Sequence, residues 1–200
     1  MSAKRIERDL ARHAYDGVVE RCARLNSFAG NLDKDLEFGD ILSRQESLAV
    51  DDIIVLSISA RRLVSVCGID LARKDWRVRK RRLGFQDDKV CETALDEYIN
   101  LGKLFGIIIH SEVLDIVDSD FSAVLKLDAT LDTIGVMEWL HRNGQRFGYF
   151  KPKMVVRSDR SGFLMFNISD FVSCIDEFLL PEANDICQSG GLFLEDEYRF

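Results

Sequence analysis

The spacing of apolar and polar residues divides the chain into a helical first third and a mixed remainder. Ile6, Leu10, Ala14, Val18, Cys22 and Leu25 recur every three or four residues with charges between them, which predicts an amphipathic helix over 3–28 ending at Gly30-Asn31. Residues 31–45 are polar with scattered apolar positions and read as a loop. From Ser47 to Cys67 a second stripe (Ile53, Leu56, Ala60, Leu63, Cys67) predicts another helix, with Asp51 and Asp52 near its start and Gly68 as its cap. The apolar run 53–58 is also compatible with a strand, and helix is the preferred reading.

Beyond residue 70 the period changes. Trp76–Leu83 reads as a strand with Trp76 and Val78 on one face and Arg77, Arg79 and Arg81 on the other. Val90, Ala94, Tyr98 and Leu101 return to helical spacing, so 88–101 is expected to be a helix. Leu104–His110, Val113–Val117 and Ala123–Leu127 are expected as short strands, and Leu131–Arg142 as a helix. Lys153–Arg157 and Phe163–Asn167 flank a polar, glycine-containing loop, a hairpin signal. A helix then starts at Ser169 or Asp170 and stops before Pro181, leaving an acidic tail. Helices come first and strands and helices mix later without regular alternation, which predicts an α+β fold: a helical N-terminal part, then a small mostly antiparallel sheet with packed helices. One domain over 1–200 is expected, with a subdivision into 1–70 and 71–200 as the variant reading.

Composition narrows the class. The chain is 46% hydrophobic and 30% charged with 2 Pro, which suits a packed core rather than a disordered polymer. Its start is charged, with no apolar run behind it, and no apolar stretch is long enough to span a bilayer. A cytoplasmic protein without membrane contact is the expectation. The five cysteines have no paired short spacing and suggest neither a zinc site nor a disulfide framework.

Net charge is −7, yet Arg73–Arg82 carries seven bases and one acid, leaving 27 − 7 = 20 bases against 34 − 1 = 33 acids elsewhere. Such a concentrated patch can meet phosphates, with Arg77, Arg79 and Arg81 pointing together as nucleic-acid ligands. The plain alternative is a solvated edge strand, or one paired with the protein's own acids.

Phosphate loops, nucleophile elbows and His-Glu-x-x-His are absent from the sequence. No cofactor and no metal site is expected, and the carboxylates between 115 and 132 read as a solvated acidic surface. The segment Arg8-Asp-Leu-Ala-Arg-His13-Ala-Tyr15 fits Arg-x-x-x-x-His-x-Tyr. It resembles the active-site motif of the HEPN superfamily of helical proteins, many of them metal-independent ribonucleases or toxin partners. The resemblance implies a homodimer acting on RNA. Arg8 would hold the scissile phosphate, His13 would move a proton to or from the ribose or leaving oxygen, and Tyr15 would be supporting structure. Asp9, one turn before His13, could orient the imidazole. The competing reading of these residues is a charged helix face. The competing function is a non-catalytic acidic interaction protein, such as an inhibitor, immunity or accessory factor, that binds a protein partner with help from the apolar tail (Leu192, Phe193, Leu194, Tyr198, Phe200).

Overall fold

The computed structural model describes residues 3–30, 39–86, 89–92, 97–117, 125–126, 152–158 and 162–190. The fold is α+β, with the helices first. Helix α1 (Ala3–Gly30) and helix α2 (Gly39–Cys67) pack along each other as a hairpin. Their apolar stripes, Ala14, Val18, Cys22 and Leu25 against Ala49, Ile53, Leu56, Ala60 and Leu63, are buried. Ser57 lies within this core because its hydroxyl donates to the Ile53 carbonyl at 2.9 Å. The loop expected over 31–45 is overturned from residue 39 onward, where the helix has already begun. Gly68 ends α2 at φ 67°, a conformation that favours glycine, and the Ile69 N–H bonds back to the Val64 carbonyl.

The sheet among the described residues runs β4-β6-β7-β1-β2-β5, with β3 also on β1, and every pairing is antiparallel. Its strands are β1 (Arg77–Gln86), β2 (Lys89–Glu92), β3 (Glu97–Asn100), β4 (Val113–Val117), β5 (Leu125–Lys126), β6 (Lys153–Ser158) and β7 (Gly162–Asn167). The hairpin predicted around the 158–162 loop is β6–β7. Alternation sends Val78, Ile99, Ile116, Met154, Val156, Leu164 and Phe166 to the face that meets the helices. There Phe171 packs edge-on against Phe105 and Phe166, with ring centroids 5.9 and 5.5 Å apart. Val155 and Met165 are buried on the opposite face.

Two expectations exchange places between 88 and 110. The helix expected over 88–101 is instead β2 and β3, because both segments complete hydrogen-bond ladders with β1. The strand expected over 104–110 is instead helix α3 (Leu101–Ile109). Leu101, Leu104, Phe105 and Ile108 are all buried at i, i+3, i+4 and i+7, a helical stripe concealed inside a uniformly apolar run.

The C-terminal helix also differs from expectation. Helix α4 (Ile168–Cys174) passes through a π turn (Ile175–Leu179) into helix α5 (Leu180–Ser189). In a regular helix, Pro181 would clash with the carbonyl four residues back and leave it without a donor. The wider turn, in which the Leu180 N–H bonds to the Ile175 carbonyl, lets the chain carry on past the proline. The helix expected over 131–142 and the residues from 191 onward lie outside the described residues. No helix among the described residues is long and apolar enough to cross a membrane.

Candidate nucleic-acid interface

The basic segment forms β1, and the two-residue period of a strand decides where its cations go. Trp76, Val78 and Lys80 are buried, while Arg77 and Arg79 are exposed. The expected division of faces is therefore present for these residues. The backbone of Arg81 pairs with Met165, and its side chain lies outside the described residues. β1 lies inside the sheet, with β7 along 80–82 on one side and β3 (77–80) and β2 (83–86) on the other, so Arg77 and Arg79 are paired on the β3 side.

Register brings an aromatic to the arginines. Tyr98 of β3 stands directly opposite Arg79 and is 57% exposed, while Asn100 stands opposite Arg77. Asn100 is a clasp. Its Oδ1 accepts from the Gly102 N–H at 2.9 Å, capping α3, and its Nδ2 donates to the Leu71 and Lys74 carbonyls at 2.9 and 3.1 Å. Gly102 allows the close approach, since a Cβ there would lie 3.0 Å from the Leu71 Cβ. The result is a cleft of about 950 Å³ between the 71–75 turn, the start of β1, the end of β3 and the first turns of α3. Arg73, Lys74, Arg77, Lys80 and Lys103 line it, with Asp75 as the one carboxylate among the described residues of the lining.

These cations differ in how firmly they are held. Lys80 is 7% exposed and its Nζ lies 2.6 Å from the Glu97 carboxylate. Lys74 bonds Glu182 of α5 and sits 5.4 Å from the centroid of the Trp76 ring, which in turn stacks on Phe178. These two are structural. Arg73 pairs with Asp70 and Arg77 with Asp75, but both arginines are largely exposed (88% and 59%), where an ion pair contributes little and is readily exchanged. Lys103 is exposed and makes no ion pair among the described residues.

The helical motif is arranged differently. α1 is one uninterrupted helix, so Arg8 and His13 point about 140° apart within one chain. Arg8, Asp9 and His13 are exposed, and no hydrogen bond joins Asp9 to His13. His13 borders a cleft of about 300 Å³ whose guanidinium is Arg62 of α2, with Ser59 and Ser65 beside it; Arg8 is not in its lining. Tyr15 turns inward and packs against Ala11 and Cys187. Burial, then the carboxylate of Asp176, pushes its hydroxyl above the ordinary value.

Tyr98, Lys103 and Arg62 were not singled out by sequence. Tyr98 could have been found only by reading 97–100 as a strand, because its partnership with Arg79 is a matter of register. Among the described residues no cluster of three or more His, Cys, Asp or Glu could hold a metal ion. Comparison with known proteins finds no matching family model, no matching curated protein and no matching solved structure.

Proposed function

We propose that this chain is a non-catalytic RNA-binding protein whose basic cleft holds the phosphate backbone of a single strand. The observation that carries the reading is the cross-strand group of Arg77, Arg79 and exposed Tyr98 beside Arg73 and Lys103. Weakly paired surface cations exchange a carboxylate for a phosphate at little cost, and an exposed ring offers a stacking surface to any base. The net acidity of the chain repels polyanions at long range, so binding depends on close approach and is sensitive to salt.

Fluorescence anisotropy with a labelled single-stranded oligoribonucleotide tests this. Arg77→Ala with Lys103→Ala weakens binding and lowers the slope of log K against log salt by about 0.7 for each phosphate that the protein no longer neutralises. Tyr98→Ala weakens it by roughly 5- to 100-fold. Affinity that ignores salt, or survives both changes, removes the reading.

A second reading adds chemistry to the same polymer and is favoured by the His13–Arg62 cleft. RNA cleavage by its own 2′-hydroxyl needs a proton carrier and a cation at the phosphate. His13 supplies the first. Arg62, or Arg8 of a second copy in a HEPN-like homodimer in the cytoplasm, supplies the other. His13→Ala then abolishes cleavage of RNA while leaving its binding intact, and activity that persists in His13→Ala ends this reading.

A further inference from the structure

The chain has five cysteines with no recognisable pairing in sequence, yet two of them meet in space. Cys67 closes α2 and Cys187 lies on α5, 120 residues later, and their sulfurs are 3.5 Å apart. The surroundings are apolar: Ala11, Tyr15 and Val66 pack around the pair. Cys187 has no exposed surface, whereas Cys67 is only partly buried. The weak acceptor beside Cys67 is the Ala183 carbonyl at 3.9 Å.

We propose that Cys67 and Cys187 form an oxidisable dithiol that a hydroperoxide converts into an intramolecular disulfide. Cys67, the more accessible sulfur, attacks the peroxide oxygen. It becomes a sulfenic acid as the O–O bond breaks, and the peroxide leaves as an alcohol or water. The Cys187 sulfur then attacks the Cys67 sulfur, the S–O bond breaks, water leaves, and the S–S bond forms. The two thiols lose two electrons and two protons in all, and the peroxide takes them up. Bonding requires the sulfurs to close from 3.5 Å to about 2.0 Å, a shift within reach of side-chain rotation and a small slide of α5 on α2.

Burial sets the rate. It pushes the Cys67 thiol up to about 12 and raises Cys187 as well, so thiolate is scarce at neutral pH. Among the described residues, Tyr15 of α1 is the ionisable side chain packed with the pair, and its own hydroxyl is raised by burial, then by Asp176 of the π turn, Cys187 and Asp16. Oxidation is therefore slow near pH 7 and accelerates about tenfold per pH unit up to pH 9. The bond, once made, ties the last described helix to the hairpin across a 120-residue loop and restrains the unfolded chain.

The experiment treats the full chain with hydrogen peroxide at pH 8 and reads intact mass, denatured thiol count, peptide map and melting temperature. The expected results are a loss of about 2 Da and a fall in alkylatable thiols from five to three. One peptide joins Cys67 to Cys187, and Tm rises by about 5 °C, reversed by dithiothreitol. Cys67→Ser and Cys187→Ala each abolish the crosslink. The peptide map of the unaltered protein decides the matter even where a variant folds poorly. A crosslink through other cysteines, oxygen addition at Cys67 without a crosslink, or five free thiols after treatment each overturns the proposal. RNA binding plays no part in this assay, so its outcome is independent of the cleft.

Discussion

Helix α1 and strand β1 are both arginine-rich, and the difference between them lies in how each backbone distributes its side chains. On β1, every second residue returns to the same face, so Arg77 and Arg79 stand together and Tyr98 joins them across the ladder. On α1, a five-residue interval turns the second side chain about 140° from the first, so Arg8 and His13 part company and His13 finds Arg62 of the neighbouring helix instead. A cluster in sequence becomes a cluster in space on a strand. On a helix it does so only at intervals of three, four or seven.

The sharpest way to break the comparison is at Lys80, the cation that the strand turns inward among the described side chains. Lys80 shares the core face with Val78 and depends on Glu97, directly opposite in β3. Glu97→Gln leaves a buried ammonium without its counter-charge and is expected to cost about 2–3 kcal/mol in urea denaturation, with the m-value unchanged. Lys80→Met costs less, because the Glu97 side chain left behind is one-third exposed and can hydrate. A cost below about 0.5 kcal/mol for Glu97→Gln would mean that the strand's alternation does not commit Lys80 to the core.

How far the sequence spoke follows the same geometry. The hairpin of α1 and α2 was legible because each helix carries an unbroken apolar stripe, and Gly68 announced its end. The β6–β7 hairpin was legible from its turn residues. Residues 88–110 were not, because Val90, Ala94, Tyr98 and Leu101 happen to keep a helical interval while the ladder with β1 imposes strands, and that ladder is nonlocal. The run 104–109 is apolar at nearly every position, so its period was hidden until burial separated Leu104, Phe105 and Ile108 from the rest. Arg77 and Arg79 could be nominated from local alternation. Tyr98 and Lys103 could not, since they arrive through register and through a turn clasped by Asn100. The thiol pair was invisible for the same reason, being separated by 120 residues.

Four of the five cysteines, Cys22, Cys67, Cys174 and Cys187, lie on helices, and Cys91 lies on β2. Burial holds Cys22 and Cys67 protonated up to about 12 and Cys174 up to about 11, against 9.0 for a free thiol. A group whose folded pKa is raised contributes its full stability below the unfolded value and loses it as pH climbs toward the folded one. With reductant present, the urea midpoint is therefore expected to fall steadily from pH 9 upward. Cys22→Ala loses packing at pH 7 but shows a shallower alkaline decline. An equally steep decline in that variant would place the sensitivity elsewhere than in this thiol.

The smallest expected effects fall on the residues the two arrangements treat most differently from each other. Arg8 and His13 are exposed, on one regular helix, and neither enters the core. Arg8→Ala and His13→Ala should each change stability by no more than about 0.5 kcal/mol, within the usual range for surface substitutions. That tolerance makes them clean probes of chemistry. If RNA is bound at the cleft alone, both variants bind and leave the polymer intact as the parent does. If a second copy brings its Arg8 to His13, each variant loses cleavage alone and mixing the two restores part of it, because one of the two shared sites regains both groups. Complementation in the mixture is the result a merely structural role cannot produce. It would show that a helix can gather a guanidinium and an imidazole after all, by borrowing one of them from another chain.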